Sequence, residues 1–276
     1  MYRQRNGIAI TLAILCITSL ALSGCASTRA RGADADATPP AKADVRNQVG
    51  DNGLPTPAAL QARYVDALGG EKALRQHESS TRKGKMTIAA MGMEGSTTTH
   101  AAAPDKIVMN IETGMGAMNQ GYNGQVGWSD NPMTGAQVLD GDQLANMKQQ
   151  ADYYMPLNYA KHFTTQETVE ETEWGGEAAY KVRLVNSTGR EAFHYFGKDS
   201  AMLLGLQAVQ DGPMGESEVK ITFSEYKDFG GGMKIPAKTT LDVAGMQIEQ
   251  TVETVTFDAV DPAAFEPPEA VKAQLK

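Results

Sequence analysis

The sequence predicts an α+β domain in which one long, curved antiparallel sheet carries helices across one face. Three observations predict it: a helix signal at residue 56, alternation of apolar and polar residues with period two from residue 79 onward, and one helix-like stretch that interrupts this alternation. Alternation with a single apolar face is typical of antiparallel strands whose other face is in water.

The first 24 residues predict a secretory signal. They carry Arg3 and Arg5 without an acidic residue, and an apolar run follows over residues 8–22, which is the order of a signal peptide. The run also has the length of an uncleaved membrane anchor. Cleavage is favoured because Leu-Ser-Gly-Cys, ending at Cys25, resembles the lipobox of bacterial lipoproteins. The resemblance implies a signal peptide over residues 1–24 and a lipidated Cys25, with palmitate among the acyl groups.

Cysteine use and charge agree with a lipid-anchored envelope protein. Cys16 lies in the predicted signal peptide and Cys25 is acylated, so we expect no disulfide. Ala26 stands where lipoproteins of the inner membrane usually carry Asp, which favours the outer membrane with the body facing the periplasm. Without Arg3 and Arg5 the chain has 23 basic and 33 acidic residues. This charge disfavours nucleic-acid binding and leaves membrane attachment to the acyl chains.

Residues 25–55 predict the lipidated cysteine and a disordered tether. Ala, Asp, Gly and Pro dominate this segment, and after the cysteine its bulky apolar residues are Val45, Val49 and Leu54. Such a composition cannot bury enough surface to fold. Residues 56–276 form the predicted single domain, since about 220 residues are sufficient for one hydrophobic core.

An N-terminal helix opens this domain. Thr56 and Pro57 supply an N-cap and a first helical residue, and apolar residues at helical spacing continue to the glycine pair Gly69 and Gly70. A short second helix is predicted over residues 71–76.

The strands follow, roughly ten of them, separated by turn residues. Their apolar positions are Met86, Ile88 and Ala90; Ile107, Met109 and Ile111; Tyr180, Val182 and Leu184; Phe193 and Tyr195; Met202, Leu204 and Leu206; Val219, Ile221 and Phe223; Ile235, Ala237, Leu241 and Val243; and a last strand near residues 248–257.

The mid-chain interruption predicts a helical insertion. Residues 140–150 are typical of a helix with Asp142 as its cap, and residues 153–163 are apolar and aromatic. The second stretch suits either a lid that packs on the sheet, which we favour, or a protruding loop that contacts cargo. Its candidate side chains are Tyr153, Tyr154, Met155 and Leu157.

The segment GYNGQVGW, residues 121–128, predicts a hairpin rather than a phosphate loop, because no helix follows it. Asn123-Gly124 predicts a type I′ turn, which places Gly121 opposite Val126 and Trp128 diagonal to Gly121. Glycine at position 121 then leaves room for the indole ring.

Recognisable catalytic chemistry is missing from the sequence. The four histidines lack paired metal-ligand spacing, and a nucleophile elbow, a Walker loop and a calcium loop are all missing. Glu170 and Glu171 are predicted to be solvated, and His194 to have a solvated or hydrogen-bonded role at the surface. The sequence therefore predicts a protein that is not an enzyme and has no metal site and no cofactor.

Five segments in order resemble the outer-membrane lipoprotein-sorting family, the LolA/LolB-like proteins, and specifically their uncharacterised periplasmic lipoprotein relatives. They are YVDALGGEKAL (64–74), GYNGQVGWSDNPMTG (121–135), YFGKDSAMLLGLQ (195–207), FSEYKDFGGGMKIPAKTTLDVAG (223–245) and VTFDAVDPAAFEPP (255–268). The resemblance covers about residues 56–268. It implies an incomplete, strongly curved antiparallel β-barrel with helices closing its mouth and a concave apolar face that holds acyl chains.

The parity of the strands selects the residues that would line this concave face. They are Met86, Ile88, Met109, Ile111, Val219, Ile221, Phe223, Leu241 and Val243. The chain has fourteen methionines, whose flexible thioethers suit irregular apolar ligands. The alternative is that methionine simply fills a core that is poor in aromatic residues.

Two functions remain open at this point. The first is a non-enzymatic lipoprotein, anchored in the outer membrane, that binds a lipid or lipidated ligand in the curved sheet and acts in lipid or lipoprotein trafficking. The second is an envelope interaction or sensor module that binds a periplasmic protein; an envelope enzyme is the distant alternative. An apolar cavity of several hundred Å³ favours ligand binding, whereas a filled interior favours the interaction module.

Overall fold

The computed structural model describes residues 44–186, 189–212 and 215–275. The predicted signal peptide, Cys25 and the tether up to residue 43 lie outside the described residues. The strands are β1 Ser79–Ile88, β2 Met93–Ala102, β3 Lys106–Thr113, β4 Gly116–Tyr122, β5 Gly127–Asn131, β6 Gly135–Val138, β7 Thr165–Trp174, β8 Glu177–Val185, β9 Glu191–Gly197, β10 Leu203–Gly212, β11 Gly215–Asp228, β12 Lys234–Val243 and β13 Met246–Phe257. The α-helices are α1 Pro57–Leu68, α2 Gly70–Leu74, α3 Gly141–Ala151, α4 Met155–Asn158 and α5 Glu269–Lys272.

One antiparallel sheet contains all thirteen strands of the described residues. β1 and β13 pair at its centre, β2 to β6 extend on one side, and β12 to β7 extend on the other. The edge strands β6 and β7 do not pair with each other in the described ranges, so the curved sheet is unclosed. The predicted α+β class, a curved incomplete barrel with helices, is confirmed. The additional strands include the short β6 and the charged edge strand β7, which lack clear apolar alternation.

Helix α1 begins and ends where its sequence signals predict. The Thr56 side chain accepts a hydrogen bond from the Ala59 amide at 3.2 Å, and Pro57 opens the helix, so one of the unpaired amides of the first turn is satisfied. Gly69 ends the helix at φ +126°, where a Cβ would lie 2.5 Å from the Gly232 carbonyl oxygen. Only glycine therefore allows α1 to turn this closely over the sheet.

The helical insertion is also present, with a different first turn. The residue that caps α3 is Asp140, and the predicted cap Asp142 lies in the first helical turn instead. A carboxylate in the first turn interacts favourably with the helix dipole. Asp140 and Asp142 are therefore both typical of a helix start, and the sequence alone does not distinguish the cap from the first-turn residue. The helix packs Met147 and Ala151 against Tyr122 of the sheet.

The hairpin at residues 121–128 forms with a register that differs from the predicted one. Gly121 pairs directly with Trp128, and four residues rather than two form the loop. The Asn123 side-chain oxygen accepts the amides of Gln125 and Val126 at 3.0 and 2.9 Å, which stabilises the wider turn. The close fit of Gly121 to the indole remains: a Cβ there would lie 2.7 Å from Trp128 Cζ2.

Residues 44–55, the end of the predicted tether, pack against the body. The Arg46 guanidinium donates to the Asp66 carboxylate on α1. The Asn52 side chain donates to the Thr168 carbonyl at 2.7 Å, and Thr168 in turn donates its hydroxyl to the Pro55 carbonyl at 2.7 Å. These polar contacts position the segment beside α1 and β7 although its composition offers little apolar surface.

The C-terminal segment covers part of the outer, convex face. Trp128 is fully buried there together with Val108, Phe265 and Val271. Val108 has the opposite parity to the predicted inner residues of β3. The two faces of this part of the sheet therefore contact different elements, α3 inside and the C-terminal segment outside.

Candidate functional site

The nine predicted lining residues share one face of the sheet and one apolar cluster. Val219 pairs with Val243 and Ile221 with Leu241 across β11 and β12, so their side chains project from the same face. We call the group they belong to the strand-only cluster. Its buried members are Met86, Ile88, Met93, Ile111, Leu206, Val219, Ile221, Leu241 and Ile248, and its half-buried members are Met109, Met118, Leu203, Phe223, Val243 and Met246.

The strand-only cluster has a filled floor and a half-exposed rim. Met86 and Ile88 are 0% exposed, and Val219 is 1% exposed. Within the described residues no helix contributes to the cluster, so side chains from the two arms of the curved sheet must cover each other. A residue that lines an empty cavity keeps accessible surface, and these three do not. The half-buried members form a rim above them.

A second cluster, the helix-covered cluster, lies mainly on the inner face, where α1 and the insertion close it, and reaches the outer face at Tyr195. Its buried members are Leu60, Tyr64, Leu68, Leu74, Tyr159, Phe163, Ala179, Val182, Leu184, Tyr195, Phe196, Met202, Leu204, Met233 and Ile235. Tyr64 meets Phe196 edge-on, with ring centroids 5.9 Å apart. Aromatic pairs of this geometry stabilise a specific arrangement beyond simple burial.

The predicted lid segment packs down onto the body and does not protrude. The Tyr153 amide donates to the Pro104 carbonyl at 3.0 Å, and the Tyr154 hydroxyl donates to the His77 carbonyl at 3.2 Å. Met155 and Leu157 contact the helix-covered cluster. The four predicted residues thus form part of a cover over the sheet.

A polar pair holds the two ends of this cover together. His162 Nε2 lies 2.9 Å from an Asp152 carboxylate oxygen, and the Asn158 side chain donates to the other oxygen at 2.9 Å. Burial raises the pKa of Asp152, but these hydrogen bonds outweigh it, and the pKa lies below its ordinary value. The ionised carboxylate therefore ties α4 and the following turn to the end of α3.

His194 is buried, which corrects the surface position predicted for it. Its side chain is 2% exposed on the inner face of β9, and its Nδ1 is hydrogen-bonded to the Tyr159 hydroxyl. Burial lowers the pKa of His194 to about 3, so the ring is neutral. Both faces of β9 are covered by other parts of the chain, and alternation within one strand cannot reveal this.

Arg82 on β1 is an inner-face residue that the sequence prediction omitted. It pairs with Thr99 on β2 and Val255 on β13, and it has the parity of Met86. Burial lowers its pKa, an effect that nearby phenols partly offset; an arginine nevertheless stays protonated at neutral pH. The sequence contained the signal for this position: Arg82 lies four residues before Met86, so the alternation of β1 places both side chains on the same face.

A groove of about 670 Å³ lies outside the cover, between residues 45–48, α1 and α4. Val65 and Leu157 supply apolar surface, while Arg46, Asp66 and Gln166 supply polar groups. The groove is separate from the concave face, because α1 lies between the two.

The described residues contain neither a membrane-spanning helix nor a metal-binding cluster. No helix among them is both long and apolar enough to cross a membrane. Their His, Cys, Asp and Glu side chains do not form a group of three or more that fits a metal ion.

Comparisons by sequence give no relative: no family model matches the chain, and no curated protein does. Solved structures do match. A DUF1329 family protein from Desulfovibrio piger is 12% identical with a TM-score of 0.53, over 75% of this chain and 96% of that chain. A LolA superfamily protein from Nitrosomonas europaea is 10% identical with a TM-score of 0.49, over 74% and 97%.

An outer membrane lipoprotein-sorting protein domain from Vibrio parahaemolyticus is 10% identical with a TM-score of 0.46, over 78% of this chain and 99% of that domain. At these identities the likeness concerns the fold and not the ligand. The similarity to the DUF1329 family protein, at a TM-score of 0.53, is therefore a similarity of fold.

Proposed function

We propose that the chain is a non-enzymatic lipoprotein, anchored in the outer membrane through Cys25 and facing the periplasm, that binds a lipid or lipidated ligand on its concave face. The observation that carries this proposal is the half-exposed apolar rim of the strand-only cluster, in particular Met109, Phe223 and Val243. Partly exposed apolar side chains that are grouped on one face of a domain are typical of a binding site. Trafficking of lipids or lipoproteins is the role that such binding would serve.

The filled floor is compatible with this function because methionine can move aside. Met86 and Met93 occupy the floor, and Met109 and Met118 the rim. An unbranched thioether side chain repacks at little cost. Burying roughly ten methylenes of an acyl chain contributes about 8 kcal/mol at about 0.8 kcal/mol each, and this gain acts against the cost of opening the cluster.

A pair of valine variants tests the site. Val243→Lys places a charge on the inner rim, whereas Val209→Lys places the same charge on a side chain of β10 that is already 56% exposed. The full chain is purified from its own membrane, and bound lipid is measured by native mass spectrometry and solvent extraction. We expect lipid on the wild type and on Val209→Lys, and at least a tenfold loss on Val243→Lys. A lipid-free wild type contradicts the proposal.

The anchor is tested separately with a clickable palmitate supplied to growing cells. We expect label and outer-membrane fractionation for the wild type, and neither for Cys25→Ala. Unlabelled wild-type protein contradicts the anchoring but leaves the ligand proposal standing.

The filled floor favours a second candidate, a module that binds a periplasmic protein. The groove beside α1 offers this module a surface, with Leu157 and Val65 as apolar contacts. A crosslinker placed at Gln61 in the groove then traps a protein partner in the envelope, and the valine variants have no effect on lipid content. Those two results together would favour this candidate over the first.

A further inference from the structure

Arg82 is enclosed between the sheet and its helical cover. It lies on the inner face of β1, four residues before Met86, which is about 13 Å along a strand. Its guanidinium is within electrostatic range of Tyr64 on α1 and Tyr153 in the insertion. Because both tyrosines belong to elements that cover the concave face, the guanidinium must point inward.

This cation has no partner in the part of the chain that the structure describes. Its side chain forms neither a hydrogen bond nor an ion pair there, and its Nε is buried and unsatisfied. The hydroxyls of Ser80 and Tyr153 interact with each other, but both are buried without a partner at good hydrogen-bond geometry. Three groups that can donate a hydrogen bond therefore lie close together, and among them only hydroxyl oxygens can accept one.

Carboxylates do not approach Arg82 from the sheet. At the described inner-face positions of β1 to β4, β12 and β13, Arg82 is the one charged side chain. The nearest strand cations, Lys83 and Lys85, have the opposite parity, and Lys85 is paired with Glu253 on the outer face at 2.8 Å. The ionisable groups close to Arg82 are phenols.

Arg82 is half-buried, and a cation removed from water without a partner is unfavourable; its buried Nε is a donor of the kind that is normally satisfied. Such a group is explained when a ligand supplies the acceptors. The planar guanidinium presents several N–H donors that match two oxygens of a carboxylate or phosphate. The adjacent hydroxyls of Ser80 and Tyr153 can donate to the same oxygens.

We infer that the ligand is a long-chain amphiphile with an anionic head group, whose carboxylate or phosphate binds Arg82 and whose chain lies on the strand-only cluster. The inference rests on the proposed function, because it specifies the lipid for that same concave face. From Arg82 to Ile88 the strand spans six residues, about 20 Å, a length that suits a long acyl chain. A fatty acid and an anionic phospholipid share this chemistry.

The test uses the full lipidated chain in phosphatidylcholine nanodiscs. Three photoactivatable probes are added at pH 8: a palmitate analogue, a lysophosphatidylglycerol analogue and the long-chain alcohol of the same length. The variants are Arg82→Gln, Arg82→Lys and, as a matched control, Arg183→Gln, whose arginine pairs with Glu191 on the other face of the sheet. Crosslinked protein is measured by mass spectrometry.

We expect the wild type and Arg183→Gln to crosslink an anionic probe at least tenfold more than the alcohol. In Arg82→Gln this preference should fall to about one with alcohol labelling unchanged, and Arg82→Lys should restore part of it. The more efficient of the two anionic probes identifies the head group as carboxylate or phosphate.

Two results overturn the inference in distinguishable ways. Equal labelling by charged and neutral probes in the wild type overturns the head-group assignment and leaves the proposed function intact. Lack of labelling by every long-chain probe overturns the proposed function and the inference together.

Thermal stability provides a second readout. If Arg82 only stabilised the fold, its replacement would lower the Tm, whereas a head-group ligand that is absent predicts a higher Tm. Replacing an unpaired, half-buried charge by an apolar side chain of similar length is stabilising. Arg82→Met should therefore raise the Tm of delipidated protein by about 2 °C or more. A lower Tm shows that Arg82 is a packing element and contradicts its role in head-group binding.

Discussion

The two apolar clusters of the inner face are built from different kinds of side chain. In the helix-covered cluster, Tyr64 and Tyr159 each contact Phe196 edge-on. In the strand-only cluster Phe223 is the one aromatic side chain of the described residues, and five methionines accompany the aliphatic ones. Aromatic rings impose a geometry, whereas thioethers adapt to their surroundings. The comparison indicates that the helix-covered cluster has a fixed geometry and that the strand-only cluster can repack, as the proposed ligand binding requires.

The largest expected effect comes from removing a ring in the helix-covered cluster. Phe196 is 2% exposed, and Phe196→Ala should lower the free energy of unfolding by about 3–5 kcal/mol, measured by urea denaturation. The half-buried Phe193 on the same strand serves as the control, because Phe193→Ala leaves a smaller cavity. Equal losses for both variants would show that the helix-covered cluster is not the rigid part.

A smaller effect is expected from pH, and it should act on the helix-covered cluster alone. The pKa of His194 is about 3 in the folded chain against about 6.5 unfolded. Below pH 6.5 the unfolded chain therefore binds a proton that the folded chain refuses, and stability falls by about 1.4 kcal/mol per pH unit. Because the unfolded histidine is already half protonated at pH 6.5, the decrease from pH 6.5 to 4.5 is about 2 kcal/mol.

Urea denaturation of the wild type and of His194→Gln at these two pH values checks this expectation. The glutamine of the variant stays neutral at both pH values. The free energy of unfolding of the variant should therefore decrease less than that of the wild type, and the difference should equal the decrease attributed to His194. The strand-only cluster contains no titratable side chain among its described members. Hydrogen exchange at pH 4.5 should accordingly increase in β8 and β9 before it does in β1 and β12; the reverse order would contradict the assignment.

The smallest effect on stability is expected in the strand-only cluster. Met86→Leu conserves volume and should change the free energy of unfolding by less than about 1.5 kcal/mol. Uptake of a fluorescent fatty acid should slow, because the branched side chain moves aside less readily. Leu184→Met in the helix-covered cluster is the matched exchange and should leave uptake unchanged. Equal uptake rates for the two variants would remove the functional distinction between the clusters.

Much of this fold was predictable because its signals are local. Thr56, Pro57 and Gly69 define α1 from its own sequence, and period-two alternation assigns the nine lining residues to one face. The predicted turn at Asn123-Gly124 was correct in place but wrong in register. The register depends on burying Trp128 against Phe265, which lies more than a hundred residues away in the sequence.

The candidate site was predictable in its apolar part and not in its polar part. Alternation identifies Met86 and Ile88 directly. His194 and Arg82 are polar residues at inner positions, and alternation read for apolar residues passes over them. The surroundings of His194 include Tyr159, and those of Arg82 include Tyr64 and Tyr153. These tyrosines come from other parts of the chain. The partners of His194 and Arg82 therefore cannot be predicted from the sequence of one strand.

The placement of the two tryptophans has a consequence for spectroscopy. Trp128 is buried beneath the C-terminal segment, and Trp174 stacks on Tyr195 and donates to the Thr222 hydroxyl at 3.1 Å. Both rings lie on the convex side of the sheet. Intrinsic fluorescence of this protein therefore reports the outer surface and serves as an internal reference: a ligand that enters the concavity leaves the emission unchanged unless the sheet itself bends.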